Sequence, residues 1–216
     1  RPFPRGGLVV LPCGFGKTVV ALHVAFGLVR RKCVILVHKQ GLLEQWCERI
    51  RQFAPGASVG VMRQDRMDAE ADVLVAMIQT VARRDCAQAL SDRGLVVVDE
   101  CHHLGAPVFG SAMSKVGAAW CLGLSATPER KDGLTSLLFM TMGPVLCRLE
   151  REREPALVTS LVLDDKRMQH EVTRNGRPVY AAMINALASD PRRNAVLASH
   201  VARLARAGRN VLVLSE

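Results

Sequence analysis

Five short aliphatic runs, Leu8–Leu11, Cys33–Val37, Val73–Ala76, Leu95–Val98 and Trp120–Leu124, recur along this chain with longer amphipathic stretches between them. Each run is apolar at consecutive positions, which predicts strands buried on both faces. Lys17–Arg30 and Leu42–Phe53 carry the helical period. Such alternation predicts an α/β fold in three layers, a mainly parallel sheet between helices joined by right-handed crossovers. Ligands of these sheets gather at the carboxyl ends of the strands.

Two polar strings leave strands at that edge. The first, Pro12-Cys13-Gly14-Phe15-Gly16-Lys17-Thr18, follows Leu8–Leu11 and opens a helical pattern. Gly14 and Gly16 let backbone N–H groups approach phosphate oxygens, and the helix start adds its positive end. Lys17 supplies a mobile cation for the β- and γ-phosphates, and Thr18 a hydroxyl for Mg²⁺. The strict phosphate-loop pattern has Gly where this chain has Leu11, so the loop needs support from elsewhere. The second string, Asp99-Glu100, ends the run Leu95–Val98. An acid pair at a strand end can be a solvated cap. Beside a phosphate loop it reads as a carboxylate holding Mg²⁺ partly through water, Asp99, and one that polarises a water, Glu100.

Charge and cysteine usage narrow the partners. A net charge of +9 suits a polyanion such as nucleic acid. Seven cysteines lack any Cys-x-x-Cys pair and sit largely in apolar runs. They read as buried hydrophobes of a reducing, intracellular compartment, and Cys101-His102-His103 lacks the second ligand pair of a zinc site. No apolar stretch is long enough for a membrane span.

Further motifs carry a resemblance. Asp99-Glu100-Cys101-His102 and the later Ser125-Ala126-Thr127-Pro128 resemble motifs II and III of superfamily 2 helicases and translocases. The full run Leu122–Gly133 is similar to the branch holding type III restriction-enzyme motor subunits and the transcription-repair helicase. Val34–Lys39 with Leu42-Leu43-Glu44-Gln45-Trp46 resembles motif Ia of that branch, and Val75–Thr80 its next motif, with Met77 where Thr is usual. The resemblance implies a RecA-like P-loop domain over residues 1–147, an interdomain segment over 148–189 and the start of a second RecA-like domain over 190–216.

It also implies roles. Pro12 through Thr18 would bind ATP, Thr18 and Asp99 would hold Mg²⁺, and Glu100 would be the catalytic base. His102, Ser125 and Thr127 would couple the nucleotide to strand movement, although Ser125 and Thr127 can equally cap the local turn. Lys39, Gln79 and Thr80 would touch a nucleic-acid backbone, duplex DNA in preference to RNA. Trp46 lies on an amphipathic pattern and reads as core in preference to a base-stacking surface.

Helical patterns resume at Val179–Ala188 and Asn194–Ala207, Asn175-Gly176 predicts a turn, and Val211–Leu214 reads as a buried strand. The later motifs, including an arginine finger, are not in the sequence, so a truncated chain with slow turnover is expected. The competing functions are a non-catalytic ATP-binding switch and another class of P-loop NTPase. Intact Lys17, Asp99 and Glu100 weigh against the first. The Ser125–Pro128 string and the lack of an Asn-Lys-x-Asp guanine reader weigh against the second.

Overall fold

The computed structural model describes residues 5–101, 105–127, 135–150, 158–160, 162, 173–174 and 177–214. The chain divides into two compact units, Arg1–Arg153 and Glu154–Glu216.

The first unit is built on an eight-stranded sheet. Its strands are β1 (Arg5–Val10), β2 (Cys33–Val37), β3 (Val59–Arg63), β4 (Arg66–Met67), β5 (Val73–Met77), β6 (Leu95–Val98), β7 (Trp120–Ser125) and β8 (Val145–Arg148). They lie in the order β4-β3-β5-β2-β6-β7-β1-β8. All neighbours are parallel except β3 and β4. The helices are α1 (Lys17–His23), α2 (Gln40–Phe53), α3 (Ile78–Arg83), α4 (Ala106–Met113) and α5 (Thr135–Met142).

Alternate strand residues feed two cores, as the period of 2 requires. Val9, Ile35, Val37, Val75, Val97 and Leu124 pack with residues of α1 and α2 on one face. Leu8, Val34, Leu36, Leu74, Val96 and Val98 pack with residues of α3, α4 and α5 on the other. The three-layer α/β expectation holds, and each of the five aliphatic runs is a strand of the sheet.

The differences lie at the edges. The strand β3 was not among the predicted runs, because its Val-Gly-Val-Met-Arg sequence is buried only at alternate positions. A Cβ on Gly60 would come within 2.3 Å of the Asp68 carbonyl oxygen, so the β3–β4 hairpin closes over a bare backbone. The exposed strand β8 is polar enough at Arg148 to look like the start of a charged linker. The helix predicted over Lys17–Arg30 is α-helical only to His23. It widens into a π-helix over Val24–Val29 and stops at Arg30, whose φ of 51° is left-handed.

Burial raises the thiols of Cys33 and Cys101 to about 12, which keeps them neutral core residues. At the amino-terminal edge the guanidinium of Arg93, 2% exposed, donates to the carbonyls of Cys33 (3.3 Å), Ala71 (2.8 Å) and Ala69. It thereby ties β2 to the loop that enters β5. Arg93→Ala leaves these carbonyls without that donor and is expected to cost about 1–3 kcal/mol, read as a lowered urea midpoint at unchanged m-value. A midpoint equal to wild type would show that water replaces the guanidinium.

The second unit contains a short antiparallel pair, β9 (Thr173–Arg174) and β10 (Arg177–Pro178), then α6 (Tyr180–Ala188) and α7 (Pro191–Arg206). Asp190 caps α7, its Oδ1 accepting from the amides of Arg192 (2.9 Å) and Arg193 (3.1 Å). The predicted turn at Asn175-Gly176 lies outside the described residues. The buried strand predicted at Val211–Leu214 is a correction: the segment has no regular structure, and Leu212 and Leu214 are 81% and 84% exposed. An apolar run becomes a strand only with a hydrogen-bonding neighbour, and none is present there among the described residues.

Candidate nucleotide site

Sheet order brings the separate motifs to one edge. From β5 to β1, the strands β5, β2, β6, β7 and β1 end in Gln79-Thr80, Lys39, Asp99-Glu100, Ser125–Thr127 and the loop Pro12–Thr18. Strand β7 pairs with β1 through Val10 and Ser125, and the Leu11 amide donates to the Ser125 carbonyl at 3.0 Å. The phosphate loop therefore leaves the sheet beside the end of β7 and one strand further from Asp99.

The loop is open and mostly exposed. Gly14 and Gly16 have φ of 84° and 78°, and a Cβ on either would meet no atom within 4 Å. Their need for glycine is therefore conformational, not steric. The start of α1 has no side-chain cap, so its first-turn amides remain available to an anion. Thr18 stands half-buried in that turn.

Two acids meet this loop. The ammonium of Lys17 donates to Glu100 Oε1 at 3.0 Å, with side chains 12% and 21% exposed. Asp99 is buried behind them, 7% exposed. Its Oδ2 accepts from the Trp46 indole N–H at 2.8 Å and its Oδ1 from the Glu100 amide at 2.9 Å. Burial pushes the Asp99 carboxyl above the usual carboxylate range, with the Trp46 hydrogen bond opposing and the Glu100 charge adding to the shift. Glu100 has a φ of 47°, in the left-handed region. Asp99, a buried carboxylate at a strand end, is the kind of oxygen donor that suits a hard divalent cation.

The remaining motif residues occupy different settings. The Ser125 side chain is fully buried, and its Oγ accepts from the Thr127 amide at 3.0 Å, so the hydroxyl shapes this turn. Lys39 is exposed at the start of α2. Gln79 Nε2 donates to the His38 carbonyl at 3.1 Å, which links the end of β5 to the loop before α2. Gln79 Oε1 is buried without a hydrogen-bond partner among the described residues. Thr80 is half-buried in α3. His102 lies outside the described residues.

Trp46 is the residue whose part in the site went unseen. It is core, as its pattern predicts, at 2% exposure, yet its polar edge ends on Asp99. The two are 53 residues apart, and no local spacing signals the pairing.

Residues 3–130 match the family model described as "Type III restriction enzyme, res subunit". The chain belongs to this family. Its sheet, with the loop and acids at the carboxyl edge, is that of the amino-terminal RecA-like domain of superfamily 2 helicases. The DNA 3'-5' translocase XPB2 of Sulfurisphaera tokodaii is 33% identical over 67% of this chain and 32% of its own length. A protein of Acanthamoeba polyphaga mimivirus named as an ATP-dependent RNA helicase is 29% identical over 97% of this chain and 42% of its own. The chain thus spans less than half the length of these curated relatives. The UvsW helicase of bacteriophage T4 shares the fold, with a TM-score of 0.58 at 19% identity over 66% of this chain and 54% of that one. Among the described residues of this res-subunit family member, no helix is long and apolar enough to cross a membrane.

Proposed function

We propose that this res-subunit family chain binds and hydrolyses ATP as the motor domain of a nucleic-acid translocase, with duplex DNA as its track. The observation that carries the reading is the Lys17–Glu100 ion pair beside an uncapped glycine loop. Lys17 pairs with Glu100 at 3.0 Å. A triphosphate seated on the amides of the loop and α1 offers Lys17 a stronger anion, and the ammonium moves from the carboxylate to the β- and γ-phosphates. Glu100 is then released to accept a proton from a water aligned on the γ-phosphorus. That water attacks as the bond to the bridging oxygen of the departing ADP breaks. Thr18 and Asp99 would hold Mg²⁺, which when bound supplies charge neutralisation at the phosphates. Ser125 and Thr127, beside β1, would sense the γ-phosphate through the turn they share, and His102 belongs to the same proposal.

Lys39, Gln79 and Thr80 form the nucleic-acid side of this reading, along the edge formed by β2 and β5. Backbone contacts by such groups are independent of sequence. DNA is favoured by the names of relatives, among them the transcription and DNA repair subunit XPB of Encephalitozoon cuniculi at 32% identity. A fold neighbour, the Sulfolobus solfataricus SWI2/SNF2 ATPase core, was solved with duplex DNA, at a TM-score of 0.51. We divide the chain functionally into a nucleotide domain at 1–147, a connecting segment at 148–189 and the beginning of a second RecA-like domain at 190–216.

Calorimetric titration with Mg²⁺ and a non-hydrolysable ATP analogue tests the nucleotide half, and a folded chain that takes up no analogue would sink it. Duplex DNA is expected to bind with log affinity falling linearly in log salt, by about 0.9 per phosphate neutralised. Binding indifferent to salt, or confined to RNA, would reject the DNA track.

A further inference from the structure

Asp99 is held at both of its oxygens. The Glu100 amide, its chain neighbour, donates to Oδ1 at 2.9 Å, and any residue at position 100 except proline would supply that donor. The donor to Oδ2 comes from a different element. Trp46 stands two turns into α2, its ring buried in the core cluster that joins that helix to the sheet. Packing accounts for the ring and for no more than the ring, since Phe or Leu would fill an apolar site without bringing a polar atom into it. A buried indole N–H needs an acceptor. The acceptor here is the side chain of a strand-end acid, 2.8 Å away. The bond, with that of the Glu100 amide, fixes the Asp99 rotamer. It also couples that rotamer to α2, whose first residues adjoin the exposed Lys39.

We infer that Trp46 is a positioning residue for the metal-holding carboxylate: its indole N–H orients Asp99 so that the site accepts Mg²⁺ with the nucleotide. The inference rests on the reading of Asp99 as the Mg²⁺ carboxylate. Outer partners of this kind set the aim of a ligand without touching the ion, and their loss commonly costs about 10–100-fold in metal affinity.

The test is a Mg²⁺ titration of the binding of a fluorescent non-hydrolysable ATP analogue to wild type, Trp46→Phe and Asp99→Asn. Wild-type affinity rises with Mg²⁺. Trp46→Phe keeps the ring and loses the donor, so its Mg²⁺ midpoint is expected to rise by about 10-fold. Its affinity for the analogue in EDTA stays at the wild-type value. A purely packing role would lower the melting temperature without moving the Mg²⁺ midpoint. If Trp46→Phe keeps the wild-type midpoint while Asp99→Asn shifts it, the role of Trp46 is overturned and the metal reading stands. If Asp99→Asn leaves the midpoint unmoved, the metal reading falls and takes the inference with it.

The wild-type chain gives a second measurement that does not depend on the folding of a variant. Its two tryptophans give two indole N–H resonances, and Trp120, 47% exposed at the start of β7, is the internal reference at the far end of a strand. Adding Mg²⁺ to the analogue-bound chain is expected to move the Trp46 resonance and leave Trp120 in place. A Trp46 resonance indifferent to Mg²⁺ overturns the inference.

Discussion

Glu100→Gln is expected to lower ATP turnover by about 10²–10⁴-fold, the range typical for loss of a general base, in any form of the protein that hydrolyses ATP. Nucleotide affinity is expected to hold or to tighten. Glu100 accepts from Lys17 at 3.0 Å, so on the proposed reading the carboxylate competes with the phosphates for one ammonium. The pair is partly screened, and exposed pairs contribute about 0–1 kcal/mol, so removing the competitor gains at most about fivefold in affinity. Single-turnover hydrolysis measured beside equilibrium binding separates the two effects. Turnover within a factor of three of wild type would remove Glu100 from the role of base. Weakened binding would contradict the exchange of Lys17 from carboxylate to phosphate.

Lys17→Ala is expected to lower affinity for the Mg²⁺-bound ATP analogue by about 10²-fold, close to abolition in a calorimeter. A charge-assisted hydrogen bond to phosphate contributes about 1.5–3 kcal/mol, or about 10–150-fold. A second effect has the same sign. Without Lys17, one positive charge beside the Glu100 carboxylate and the phosphate loop is removed, which raises the repulsion met by the incoming triphosphate. Because the second effect depends on Glu100, the double variant Lys17→Ala, Glu100→Gln recovers part of the lost affinity. No recovery would mean that the two side chains act on the nucleotide independently. Thermal midpoints serve as the control for any effect of the lost pair on the fold.

The aliphatic runs announced the sheet because a strand buried on both faces is apolar at every position, as Val34–Val37 and Leu95–Val98 are. Strands near the margins of the sheet carry no such signature. Met62 is buried in β3 while Val61 is only half-buried, and β8 is exposed at Leu146, Cys147 and Arg148. Much of the candidate site was legible for a different reason: the loop residues Gly14–Thr18 and the acids Asp99-Glu100 are contiguous in sequence, and their parallel strands must deliver them to one edge. What stayed hidden was pairing across the fold. Trp46 with Asp99, Lys17 with Glu100 and Gln79 with the His38 carbonyl join residues 41 to 83 positions apart. The segment Val211–Leu214 misled for the converse reason, since it has the composition of a core strand and, among the described residues, no strand paired with it.

The left-handed backbone of Glu100 sets two pressures of selection against each other. A non-glycine residue at a φ of 47° carries a conformational cost of roughly 1–2 kcal/mol, which glycine escapes and asparagine reduces. Stability alone would drive position 100 toward glycine. If Glu100 is the base of the proposed reaction, the need for a carboxylate retains glutamate at the fold's expense. A descendant that binds nucleotide without consuming it would be expected to lose this glutamate early, and to become harder to unfold as it does so. Under the proposed function, position 100 thus offers a record, readable in a lineage, of whether hydrolysis is still in use.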